Sequence, residues 1–400
     1  MNGSGGDMKY LFLVIALYVL DSSNAFSTNQ CLKRLISVDS DTFFDFAIEH
    51  GYVPNVVAKN SKVIISEVCD GVFHELSEFS NRANSSLNIM QHSTVDEALL
   101  TIKRRVKNDQ EYDIDQPEKV KELIEKVKVD NLAETVSKLT MFRNRFYFGS
   151  HGMGAAEFLF EKWQKIASVN PSIQVSMQSH LNWHQPTIVA TIPAKRTRRN
   201  KGEIVLGAHI DSKTGDWGQM NAHSPGADDN ASGVAVITEV LRVLAEAKYV
   251  PKHTIHIVGY SASEYGLEGS KEYAMSFYEN EIPVRGTLNF DMTNYKGSEA
   301  DLYLIMDETD DYHNKFILDL MQTYQPEVSV GTDVCGHACS DHVSWTLRDF
   351  PASYVTEAKI KERNPARRTR QDTIYTLGND FTHSVPFTKL GISYVIEIDR

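Results

Sequence analysis

Four stretches of this sequence place a residue that can bind or move charge beside a run of apolar residues. GAHIDS, residues 207–212, follows the strand-like run 203–206 and brings His209. SPGADDNASG, residues 224–233, brings Asp228 and leads into an apolar helical pattern from about Val234. YSASEYGLEGS, residues 260–270, follows the alternating run 254–258 and brings Ser263 and Glu264. LNFDMTN, residues 288–294, carries Asp291 at the end of a further strand-like run. Alternating apolar residues read as buried strands, and α/β sheets collect their chemistry just past the carboxyl ends of strands. His209, Asp228, Glu264 and Asp291 therefore arrive one per element at a single sheet edge. A borderline divalent ion such as zinc prefers that mixture of nitrogen and oxygen ligands.

The elements that must position these groups follow the same patterns. Apolar residues recur at roughly helical spacing over 118–140 and again over 155–167, and 187–192 reads as a strand. The expected fold class is α/β: three layers, with helices on both faces of a central mixed, mostly parallel sheet and the site at its strand ends. Four hundred residues are enough for a large core and a second, smaller unit. Charged residues at 24% and hydrophobic ones at 42% are those of an ordinary globular chain, and the net charge of −12 argues against general nucleic-acid binding.

From about Pro117 to the end, the chain resembles the bacterial secreted leucyl aminopeptidases, a family of dizinc exopeptidases with the zinc aminopeptidase/carboxypeptidase-like fold. The resemblance runs in order through FRNRFY, GAHIDS, PGADDNASG, EYGLEGS, DMTNYKGS, CGHACSDH, NPARRTRQDT and LGISYVIEI. In that family a His, a bridging Asp and a second Asp hold one metal, which implies His209, Asp228 and Asp291. The bridging Asp, a Glu and a late His hold the other; the Glu maps onto Glu264, but the late His position is Arg368. The Glu that serves the family as general base stands one residue earlier, where this chain has Ser263. Asp211 matches the residue that orients the ligand His, although an Asp after a strand can equally be an ordinary loop residue. The family's cis peptide after its bridging Asp implies a cis bond from Asp228 to Asp229.

Both departures bear on mechanism. A guanidinium stays protonated and offers no lone pair to a metal. A serine hydroxyl cannot take a proton from water near neutral pH, and losing acid–base help costs roughly 100-fold to 10,000-fold in rate. One divalent ion together with Arg368 would balance Asp228, Glu264 and Asp291. Arg368 is accordingly expected to pair with Glu264 through its fork, with one zinc at most, or none.

The resemblance also implies a substrate pocket built from Met292, Cys335, His337, Cys339, Tyr354, Thr356, Ile360, Arg363 and Arg367, with Cys335–Cys339 as a local disulfide. The family's apolar lining is replaced at Thr356, Arg363 and Arg367. These arginines could favour an acidic ligand, or ARRTR could be a solvated loop. His337 could bind, act as a substitute base or fill space. Cys31 and Cys69 remain to pair with each other, in keeping with an oxidising compartment.

The amino end reads as a targeting segment: an apolar run at 11–20 too short for a usual membrane span, then Ser23, Asn24 and Ala25 as a cleavage site. Residues 1–25 are thus expected as a signal peptide, 26–116 as a propeptide-like region and 117–400 as the aminopeptidase-like domain. Within 26–116 a strand is expected over 56–68, a helix over 95–106 and a polar linker over 107–116. A basic loop at 195–201 reads as a solvated hairpin tip.

Two functions stay open. One is a secreted (extracellular or periplasmic) homologue, impaired in catalysis, that binds a peptide or protein partner without stable membrane insertion. The other is a working zinc aminopeptidase in which one metal, Asp211 and His223 or His337 stand in for the missing base.

Overall fold

In β7 (Glu203–His209), Ile204 and Leu206 enter one hydrophobic core while Val205 enters another. That alternation is what a strand buried on both faces requires. The computed structural model describes residues 31–82, 89–103, 110–195, 202–214 and 220–400. The expected signal peptide, residues 1–25, and most of the basic loop lie outside the described residues.

Eight strands make the central sheet: β5 (Gln174–Gln178), β6 (Thr187–Ile192), β7, β8 (Ile255–Tyr260), β9 (Val284–Phe290), β10 (Leu302–Ile305), β11 (Val330–Asp333) and β12 (Ala352–Thr356). Their order is β11-β10-β12-β9-β7-β8-β6-β5. The centre, β12-β9-β7-β8, is parallel, and antiparallel pairs lie to either side, β10 with β12 and β8-β6-β5. One face is covered by α6 (Ser150–Ala167), α7 (Gly233–Glu246), α9 (Asp311–Tyr324) and α11 (Val385–Ile398), the other by α8 (Glu268–Glu279) and α10 (His342–Thr346). Each fully buried Leu, Ile or Val here contributes about 1.5–3 kcal/mol by leaving water. The expected three-layer arrangement is the one observed.

A smaller antiparallel sheet, ordered β2-β3-β1-β4, lies at the amino end, formed by β1 (Lys33–Asp39), β2 (Asn55–Lys59), β3 (Val63–Cys69) and β4 (Ile89–His92). Its helices α1 (Ser40–His50) and α2 (Asp70–Arg82) supply Phe43, Phe46, Val72 and Phe73 to a separate core. The single strand expected over 56–68 is a hairpin, because the Asn60 side chain accepts the Lys62 and Val63 amides at 2.7 and 2.8 Å and turns the chain. Helix α3 (Val95–Leu100) is shorter than expected and is capped at Thr94. The run 118–140 is two helices, α4 (Pro117–Ile124) and α5 (Val129–Leu139), separated where the Lys128 amide turns to Glu239. The described part of the expected linker, 110–116, is fastened to the large domain. Tyr112 stacks on Phe316, and the Asp115 and Gln116 amides donate to Glu397 at 2.9 Å.

The small unit docks beside the strand ends. Arg34 lies over the rings of Phe73 and Tyr265, and Met90 packs with Leu267, Ala338 and Val343. Ser37 Oγ is 2.7 Å from His92 Nε2 and 2.8 Å from His337 Nε2. The two expected disulfides, Cys31–Cys69 and Cys335–Cys339, are formed. Among the described residues no helix is long and apolar enough to cross a membrane.

Candidate metal centre

His209 is the last residue of β7, and Asp211 just beyond it sets the direction of its ring. His209 Nδ1 lies 3.3 Å from Asp211 Oδ1 and 3.1 Å from the Asp211 carbonyl oxygen. The other Asp211 contacts organise the neighbouring turn, since its carboxylate accepts the amides of Ser263 at 3.1 Å and Glu264 at 2.9 Å. Asp211 thus fixes two elements of the site at once, as a positioning group rather than a ligand.

With Nδ1 engaged, His209 Nε2 faces Asp229 Oδ1 at 3.3 Å and Asp291 Oδ1 at 3.4 Å. The residue beside His209 and Asp291 is therefore Asp229, not the expected Asp228. The reason lies in the irregular turn 227–232. Gly226 enters it at φ 55°, where an added Cβ would sit 2.5 Å from the Asp229 carbonyl oxygen. Asp372 accepts both the Asp228 and Asp229 amides at 3.0 Å. Asn230 ties the turn to the end of β9, donating to Phe290 O at 2.9 Å and accepting the Met292 amide at 3.0 Å. Held this way, Asp228 turns away toward Asn364 Nδ2, the Asn294 amide and Glu357. Burial and Glu357 push the Asp228 carboxyl well above its ordinary range, and burial raises Glu357 to about 7, as befits two carboxyls sharing a proton. The cis peptide is likewise one residue later than expected, at Asp229–Asn230.

His209, Asp229 and Asp291 are all buried, and their converging ligand atoms could hold a metal ion. Asp291 Oδ1 is buried without a hydrogen-bond donor, and its separation from His209 Nε2 is close to the edge of a tetrahedron with ligand bonds of about 2.0–2.1 Å. Burial would lower the His209 pKa, but Asp291, Asp211 and Asp229 outweigh it and hold the imidazole well above its ordinary value.

Glu264 stands apart from this trio. Arg368 grips it with two atoms, Nε to Oε1 at 3.0 Å and Nη2 to Oε2 at 2.8 Å, while Arg368 Nε lies 3.6 Å from Asp229 Oδ2. A second cation that sequence reasoning missed, Lys213, reaches the Glu264 carbonyl at 3.0 Å and Oε2 at 3.4 Å. Burial alone would raise Glu264; Arg368 and Lys213 reverse this and hold it below the ordinary range. Burial also lowers Lys213, to about 8. The only signal for Lys213 was its place four residues after His209, which by itself says nothing of where its amine goes.

Ser263 donates its hydroxyl to Asp341 Oδ2 at 3.0 Å, and burial raises Asp341 to about 7. This carboxyl was not among the expected site residues. Of the pocket set, Met292, Cys335, His337, Tyr354, Thr356, Ile360, Arg363 and Arg367 are all buried. Tyr354 and Ile360 pack with the Cys335–Cys339 disulfide, and Thr356 Oγ1 lies 3.4 Å from Met292 O. ARRTR is not a wholly solvated loop, because Arg367 is buried and Arg368 is bound inward.

The sequence pattern of Peptidase family M28 matches residues 187–388, half of the chain. This chain belongs to peptidase family M28. It is 32% identical over 283 residues to a protein of Arthroderma benhamiae named as a probable leucine aminopeptidase, covering 70% of this chain and 76% of that one. The fold is similar to that of the LapA aminopeptidase of Legionella pneumophila, with a TM-score of 0.78, 24% identity, and coverage of 92% of this chain and 99% of LapA. LapB from the same organism gives a TM-score of 0.79 at 24% identity, over 92% of this chain and all of LapB. That share exceeds what residues 117–400 alone could fill, so the structural likeness extends into the small amino-terminal unit. Two cations, Arg368 and Lys213, contact the Glu264 carboxylate, and Ser263 precedes it in the chain.

Proposed function

We propose that this M28 protein is secreted, holds a single zinc ion through His209, Asp229 and Asp291, and binds peptides with their hydrolysis reduced or lost. The observation that carries the reading is the two-atom grip of Arg368 on Glu264. A permanently charged, bidentate partner satisfies a carboxylate as a cation would, and Lys213 adds a second positive charge to the same group. Bound zinc would supply Lewis acidity, polarising a carbonyl oxygen and easing loss of a proton from water. The chain's own residues do the remaining work: Asp211 keeps His209 aimed, Asp372 and Asn230 hold the Asp229 turn, and Ser340 steadies Asp291 through a 2.7 Å hydrogen bond. None of the expected substitute bases is well placed. Asp211 is committed to two amides, His337 is bound to Ser37, and His223 is exposed. The disulfides support an oxidising, extracytoplasmic location.

A second reading, a working single-zinc aminopeptidase, has one observation in its favour: Asp341, held near neutrality behind Ser263, could accept a proton relayed by the serine hydroxyl. Turnover of Leu-, Arg- and Glu-linked chromogenic amides separates the two. No chelator-sensitive turnover is expected from the wild-type protein, and Ser263→Glu with Arg368→His and Lys213→Ala is expected to gain it. Clear chelator-sensitive turnover in the wild type, abolished by Asp341→Asn, would establish the second reading instead.

A further inference from the structure

Arg363 is buried, with only 7% of its surface exposed, yet its Nη2 has no hydrogen-bond partner. Its one hydrogen bond is from Nε to Ile360 O at 3.2 Å, and among the described residues it forms no ion pair. A buried guanidinium N–H left without an acceptor is costly, so a partner for Nη2 is expected from something that binds. The carboxylates within its field are already committed. Asp291 accepts from Ser340 and faces His209; Glu357 accepts the amides of Asn294, Tyr295 and Asn364. Beside Arg363 lies a second buried guanidinium, Arg367. Burial, then the neighbouring Arg363 and Arg368, lower it to about 9, a sign of crowded positive charge. Arg368 itself is engaged by Glu264.

We propose that Arg363, with Arg367 adding positive charge beside it, forms a carboxylate pocket beside the metal centre, which selects peptides whose first residue is Glu or Asp. This rests on the reading that the site binds peptides, and it adds the class of peptide. The apolar wall of Tyr354, Ile360 and the Cys335–Cys339 disulfide accommodates the methylene stem, and the guanidinium fork takes the carboxylate. Pairing matters more than size here: a site built to hydrogen-bond a polar group discriminates strongly against an analogue that leaves its buried donors unpaired.

The test is calorimetric titration of the zinc-loaded full chain with amide-capped Glu-Ala-Ala, Gln-Ala-Ala and Leu-Ala-Ala, together with uncapped Leu-Ala-Ala. Capped Glu-Ala-Ala is expected to bind at least about tenfold more tightly than either capped neutral peptide. Arg363→Met should erase that preference, and Arg363→Glu should shift it toward capped Lys-Ala-Ala, a gain that a misfolded protein could not show. Equal affinities, a preference for Leu, or no measurable binding would overturn the proposal. Tightest binding by uncapped Leu-Ala-Ala would overturn it too, assigning the arginines to a peptide's carboxyl terminus. Zinc content and amide turnover measured on the same preparations report separately on the single-zinc, low-turnover reading. An absent Glu preference with those two intact faults the acidic pocket alone.

Discussion

Replacing Arg368 with Met removes the guanidinium while keeping a stem of similar reach, and it leaves Glu264 buried beside Lys213 alone. Removing one partner of a buried ion pair costs about 3–5 kcal/mol, because the remaining charge is left desolvated. Here the Arg368 side chain is 16% exposed and Lys213 still lies 3.4 Å from Glu264, so the low end, about 3 kcal/mol, is expected. Urea unfolding of chelator-treated protein, followed by far-ultraviolet circular dichroism, measures this directly. Glu264→Gln and the double variant complete a thermodynamic cycle, whose coupling should exceed about 1 kcal/mol for groups in direct contact. A loss below about 0.5 kcal/mol, the size expected of an unremarkable surface change, or a coupling near zero would refute the reasoning.

The turn at Asp229 makes a sharper prediction, since two adjacent carboxylates should behave oppositely. Asp229→Asn should abolish tight zinc binding, while Asp228→Asn, facing Glu357 and Asn364, should retain it; equal loss in both would contradict the assignment. The raised pKa of His209 gives a pH dependence with a definite sign. Near neutral pH the metal-free imidazole carries a proton that zinc must displace, so apparent affinity should rise as pH increases toward that pKa and level off above it. Calorimetry in buffers of different ionisation enthalpy should find about one proton released per zinc near pH 7; none released would count against it.

Much of the fold was legible because the central strands alternate between two cores, leaving a clear apolar period in β7 and β8. The strand-end residues His209, Glu264 and Asp291 could be placed for the same reason. Asp229 could not, because an irregular turn has no period, and which of two neighbouring carboxylates faces inward is decided by Asp372, Asn230 and Phe290, all remote or non-periodic in sequence. The Arg368–Glu264 pair was expected from charge balance and is observed, but the same reckoning overlooked Lys213, whose amine reaches the site only through tertiary packing. Residues 56–68 looked continuous because both strands of the hairpin are apolar, although Asn60 and Ser61 mark the turn. The run 118–140 hid its break because Glu125–Lys128 contains neither Gly nor Pro; the interruption is set by Glu239 on α7.

The most direct test is the metal content and position in native protein loaded with excess zinc, read by elemental analysis and by anomalous scattering from a crystal. One zinc per chain among His209, Asp229 and Asp291, with Arg368 still on Glu264, is the expected result. Two ions bridged by Asp229, with Arg368 displaced toward solvent, would contradict it.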